Sequence, residues 1–266
     1  MTESDSQRWW GDFEVPLERW ACWRIGPMTL WARPSPGEWR LAWHSEEDPL
    51  MDSMTIANPA DGEPKSDELE LARFALESVD GGLRLTPRLA DLSVIVRPET
   101  ALWIPPGQRT VLYVGTAVWI GINCSGSGHP KLIELPTFRP SDTWFGGNTR
   151  VGELCYASRT KARTQIELLG KVPHRAITPV ELVNLGIDTL NVEQLRIPVR
   201  ALSLYEADDR LWTDGIRFTR EEGSRNAEFD IPKASKHLPK ARVKIAEPVE
   251  PLRRKSVVEA FGSLFS

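Results

Sequence analysis

Cysteine is scarce in this chain of 266 residues: Cys22, Cys124 and Cys155 are odd in number and widely spaced, so they form neither a disulfide framework nor a paired zinc motif. A reducing cytoplasm is the expected home. Basic residues are in no excess, with 33 Lys and Arg against 37 Asp and Glu for a net charge of −4. That excludes the broad cationic surface of a nucleic-acid protein, so no nucleic-acid partner is expected. Long apolar runs are missing too. The longest stretch without Asp, Glu, Lys or Arg is 110–130, and only 111–122 of it is mostly apolar, short of the roughly 20 residues a membrane helix needs. Residues 1–8 are polar and acidic where an export signal would be basic and then apolar, so no export is expected.

What is present suits a globular protein, with 41% hydrophobic and 26% charged residues supporting one large or two small cores. Turn residues cut the chain into short alternating segments. Three strands, 19–25, 28–33 and 38–44, are separated by Gly26-Pro27 and by Pro34-Ser35-Pro36-Gly37, a β-meander. In the third, Trp39, Leu41 and Trp43 share one face, because strand side chains alternate with period two. Further strands are expected at 92–96, 109–122 with a bulge or bend at Gly115, 131–135, 152–156, 163–168, 178–183, 189–199, 201–206, 211–219 and 227–231. The run 180–193, two apolar segments about Asn184-Leu185-Gly186, reads as a strand–turn–strand unit of the kind common in immunoglobulin-like sandwiches.

Two segments are charge-biased. Residues 46–80 hold eleven acidic and two basic residues, a local charge of −9. Their second half is expected to form a hairpin with 83–86 through Asp80-Gly81-Gly82. Residues 232–266 carry +5 and four prolines, which makes them an extended tail. Its end, opened by the capping-box spelling Ser256-Val257-Val258-Glu259, places Val257, Val258, Phe261, Leu264 and Phe265 on one stripe of a short amphipathic helix. Such a helix needs a docking surface to stay ordered. With Arg253, Arg254 and Lys255 ahead of it, the stripe is the expected partner-binding element. Its own core, a second copy, another protein or an anionic membrane surface could receive it.

The pattern Pro87-Arg88-Leu89-Ala90-Asp91, Arg97-Pro98-Glu99, Pro106-Gly107, Leu112-Tyr113-Val114 and Trp119, followed by Arg139-Pro140-Ser141-Asp142-Thr143-Trp144-Phe145-Gly146 and Gly152-Glu153-Leu154-Cys155-Tyr156-Ala157, resembles the prokaryotic domain-of-unknown-function 432 family over roughly residues 20–220. The resemblance implies a soluble protein with no activity or catalytic residues to carry over. It also implies members encoded near small mechanosensitive channels of the cytoplasmic membrane, hence an accessory role.

Other chemistry is weighed against plainer readings. Cys155 with His129 or His174 and Asp142 has the ingredients of a thiol enzyme, but a cysteine between Leu154 and Tyr156 in a strand is usually a small buried hydrophobe. Cys124 and His129 lack the further ligands zinc needs, and the glycine-bearing loops at 123–128 and 145–148 lack a phosphate loop's ending. Seven of the eleven tryptophans lie in the first 43 residues. Trp39 and Trp43 could stack on a sugar or small ligand but more simply fill the core, which leaves Trp9 and Trp10 as the better exposed pair.

The expected protein is therefore all-β, built of antiparallel sandwich-like sheets of immunoglobulin or jelly-roll kind, with a C-terminal helix. It has an arm at 1–17, a body at 18–231 divisible near 135 and 136, and a docking tail at 232–266. Its expected role is non-catalytic and cofactor-free: an interaction or accessory subunit contacting a protein partner, a second copy, or a membrane protein. A ligand- or carbohydrate-binding module and a thiol-dependent enzyme are the alternatives.

Overall fold

The computed structural model describes residues 8–46, 63–64, 69–98, 100–125, 130–146, 152–160, 162–222, 227–233, 235–250 and 256–258. They form an all-β protein with several antiparallel sheets; the helical elements among them are two single turns of 3-10 helix, Ile166–Leu168 and Val199–Ala201. The chain divides into two compact units, each assembled from separate stretches: 1–88, 117–139 and 172–174 in the first, 89–116, 140–171 and 175–266 in the second. The body thus does not split once near residue 135.

In the first unit the meander Ala21–Ile25, Met28–Ser35 and Glu38–Ser45 forms as alternation predicts. Trp23, Leu30 and Trp43 make one buried cross-strand row, and Ala21, Ala32 and Leu41 another. Gly26 turns the first hairpin at φ +59, where a Cβ would lie 2.1 Å from His174 Nδ1. Only glycine fits there, and the imidazole is sealed beneath it.

A fourth strand, Glu70–Ala75, pairs with Glu38–Ser45, so the hairpin expected between 69–79 and 83–86 does not form. Asp80-Gly81-Gly82 is a turn, with Gly82 N–H donating to Asp80 Oδ1 at 3.1 Å, but it carries the chain to a different sheet. There Gly82–Arg88 lies between Gly11–Glu14 and Trp119–Cys124, with Lys131–Pro136 outermost. Gly81 accepts from Val15 N–H at 2.9 Å, a close approach that its positive φ allows. Residues 11–14 are consequently part of a sheet and not of an arm.

The stretch 109–122 is two strands, Arg109–Ala117 and Trp119–Cys124, parted at Val118. Val118 N–H donates to the His174 carbonyl at 3.0 Å and leaves both ladders. Gly115 lies within the first of these strands. It makes room for Arg175, whose Nη2 donates to the Gly115 carbonyl at 2.8 Å.

The second unit holds a sheet ordered Ser141–Phe145, Glu153–Thr160, Val94–Pro98 and Leu195–Ile197, its middle pair parallel. A larger sheet runs Val243–Ala246, Leu204–Ala207, Arg210–Thr213, Arg175–Asn184, Ile216–Arg220, Ala227–Asp230 and Ser256–Val258, with Arg109–Ala117 also on Arg175–Asn184. Arg175–Asn184 is parallel to both neighbours in that order. The strand pair expected within 180–193 is absent, since Leu190–Val192 pairs with Leu102–Ile104. Buried Asn184 explains the redirection. Its Oδ1 accepts from Gly186 N–H at 3.1 Å, while its Nδ2 donates to the carbonyls of Ile104 at 2.9 Å and Asp188 at 2.8 Å. Residues 166–168 are 3-10 helix and not strand.

The C-terminal tail differs most from expectation. Leu238 is buried against Ile177, Ala207 and Trp212. Val243–Ala246 and Ser256–Val258 then form the two end strands of the larger sheet. Val257 and Val258 therefore lie in a strand antiparallel to Ala227–Asp230 and not in a helix, because β-branched residues suit an open sheet edge better than a first helical turn. Arg253, Arg254, Lys255, Phe261, Leu264 and Phe265 lie outside the described residues.

Candidate functional site

Cys155 lies fully buried in the Glu153–Thr160 strand, packed with Ile95 and Phe145. Burial first, and the Glu153 carboxylate second, push its thiol up to about 11, against the weaker opposing pull of Arg196. A nucleophilic cysteine needs the reverse. The other groups do not converge on it. Asp142 stands opposite Tyr156, one residue out of step with the Thr143–Cys155 pair and so on the other face of the sheet. His174 is buried in the first unit, and His129 lies outside the described residues. Cys124 is buried with a raised thiol, again chiefly by desolvation.

The N-terminal tryptophans turn inward. Trp39 and Trp43 fill the meander's core. Trp9 is also buried, meeting Trp10 edge-on at 5.4 Å and donating from Nε1 to the Pro173 carbonyl at 3.0 Å. The ring faces of Trp9, Trp39 and Trp43 are thus taken up by the protein, and Trp10 is half-buried.

Exposed aromatics occur instead in the second unit. Trp144 and Leu154 are 43% and 45% exposed and stand directly opposite each other in the register of Ser141–Phe145, a terminal strand of its sheet, and Glu153–Thr160. Gly152 leaves room for the indole, since a Cβ there would fall 2.0 Å from Trp144 Nε1. Alternation could have shown Trp144 and Leu154 on the face opposite Cys155. That the face stays open is set by what the fold lays over it.

A second feature of this unit is an open cleft of about 430 Å³ beside the Leu204–Ala207 and Arg210–Thr213 hairpin. Trp212, Leu238, Ile166 and Tyr113 give it an apolar wall, and Glu167, Lys171, Asp208, Arg210, Lys236 and His237 give it a polar one. Burial and the Glu167 carboxylate raise the Tyr113 phenol above its ordinary value. Residues 236–239, read from sequence as extended tail, build one side. Leu238 anchors them, Arg242 donates to the Pro239 carbonyl at 2.9 Å, and Arg242 and Lys244 lie over the Tyr205 ring at 5.1 and 5.8 Å. Among the described residues no group of three His, Cys, Asp or Glu is placed to hold a metal ion, and no helix is long and apolar enough to cross a membrane.

Residues 9–265, nearly the whole chain, match the family described as Protein of unknown function (DUF432). No curated protein and no solved structure matches the chain.

Proposed function

Since the chain belongs to the DUF432 family, we propose, from its own surface, that it works by binding, as a non-catalytic accessory subunit in the cytoplasm. The observation that carries this reading is the exposed Trp144–Leu154 pair on a sheet-end strand. A rigid indole beside an aliphatic side chain is the composition of an interface anchor. A terminal strand is also a place where an incoming segment can add to a sheet. In this reading the sheets pack as sandwich-like layers that hold the pair rigid, and the partner is a protein. The family resemblance points to a channel of the cytoplasmic membrane, and a second copy of the chain is the competing occupant. The tail supports the same reading: Arg253, Arg254, Lys255, Phe261, Leu264 and Phe265 flank a strand tied to the body and add a second, charge-steered contact.

Leu154→Arg tests it. The side chain is half exposed, so the variant keeps the wild-type melting temperature within a few degrees. It should weaken partner or self-association by about 10- to 100-fold, the loss of one buried leucine, as read by light scattering of the complex purified from the native host. Undiminished association would remove the pair from the interface. A ligand-binding role is the second reading, and the cleft is the observation that favours it.

A further inference from the structure

The cleft beside the 204–213 hairpin has a charge arrangement that specifies a ligand class. Of its cations, Lys171 is turned to Asp209 at 3.4 Å, and Arg210 spends one donor on the Leu169 carbonyl at 3.1 Å. The Lys236 ammonium has no hydrogen-bond or ion-pair partner among the described residues. The same holds for the carboxylates of Glu167 and Asp208 and for the Tyr113 hydroxyl. Asp208 is held at the rim by a two-residue turn in which it and Asp209 both take positive φ, +52 and +57, closing the Ala207–Arg210 pair. That conformation disfavours most side chains, and here it presents a carboxylate to the cleft.

Uncompensated charges of both signs therefore border one apolar wall. A simple anion would pair with Lys236 and Arg210 but meet Glu167 and Asp208 as like charges, and a simple cation would meet the reverse. A molecule bearing both charges answers both sets while its apolar part covers Trp212, Leu238 and Ile166. The volume is at the small end of the range of about 300–1,000 Å³ typical of small-molecule sites. We propose that this cleft binds a small zwitterion carrying an apolar group, in the manner of an apolar α-amino acid. The carboxylate is received by Lys236 and Arg210, and the ammonium by Glu167, Asp208 and the Tyr113 hydroxyl. The site shares no residue with the Trp144–Leu154 surface, so either proposal can fail without the other.

Three probes with one ring separate the charges: L-phenylalanine, phenylacetate and phenethylamine, titrated into the full chain by calorimetry at neutral pH and low salt. Phenylalanine should bind at least about tenfold more tightly than either single-charge probe, the effect of one satisfied ionic hydrogen bond. Lys236→Gln should weaken phenylalanine and phenylacetate and spare phenethylamine, whereas Glu167→Gln should weaken phenylalanine and phenethylamine and spare phenylacetate. Both side chains sit on the rim, and unchanged melting temperatures will show that the variants are folded. The proposal is overturned if phenylalanine does not bind, if a single-charge probe binds as well as it does, or if folded variants bind all three like the wild type.

Discussion

At the scale of single residues, burial decides what each reactive group can do. Cys155 has the same thiol as any cysteine, yet its place between Ile95 and Phe145 lifts its ionisation from 9.0 to about 11. The consequence for stability has a definite sign. Below pH 9 both folded and unfolded chains keep the proton, and the site adds no pH dependence. Between about 9 and 11 only the unfolded thiol ionises, so the unfolded state binds fewer protons and stability falls as pH rises. The expected loss is about 2–3 kcal/mol by pH 11. Urea titrations at pH 8, 9, 10 and 11 should show it, and Cys155→Ala should flatten that part of the profile. A Cys155→Ala profile parallel to wild type would mean that the thiol is not buried as described. The tryptophans teach the same lesson: Trp9 looked available because it lies ahead of any clear strand, but its indole N–H had a carbonyl to reach at Pro173.

At the scale of elements, strands were legible and their partners were not. The meander at 21–45 was readable because its turns are two residues long, which leaves each strand no neighbour but the next. The turns at 80–82 and 184–188 carry equally clear turn chemistry, yet the chain changes sheets at both, because Val15 N–H donates to Gly81 in the first and Asn184 ties the second to the Ile104 carbonyl. The tail is the extreme case. An S-x-x-E spelling reads as helix when only local bonds count, but the open edge of Ala227–Asp230 supplies ladder bonds to a strand. Deleting 256–266 should lower the melting temperature by only a few degrees, since three paired residues among the described ones are lost, and the bared Phe229 strand should promote self-association measurable by sedimentation. A drop as large as global unfolding would mean that the deleted segment contributes to the main core.

At the scale of the whole molecule, the two units are interleaved, with three chain segments in each and therefore five passages between them. Val94–Pro98 is central in a sheet whose neighbours come from residues 153–160 and 195–197, and Arg109–Ala117 joins a strand at 175–184. No contiguous piece of chain contains a complete unit. The fragment 140–266, which an apparent boundary near residue 136 would recommend, lacks Val94–Pro98, Leu102–Ile104 and Arg109–Ala117. It should show neither cooperative thermal unfolding nor a dispersed amide spectrum. A folded fragment would require a different partition of the chain.

Alternation of apolar and polar residues, turn residues at close intervals and the placing of Trp39, Leu41 and Trp43 on one face follow from bond geometry within a few residues, and so the chain alone determined that it is built from strands. The family could be read from Arg139-Pro140-Ser141-Asp142-Thr143-Trp144-Phe145-Gly146 and its companion motifs for the same reason: they are local. Pairing, parallel order, the two discontinuous units and the exposed pair and cleft of the second of them were decided only in three dimensions. Ladder bonds and buried area join residues such as Val94 and Tyr156 or Leu238 and Trp212 across long stretches of chain, and no local pattern encodes which of several competent strands will supply them.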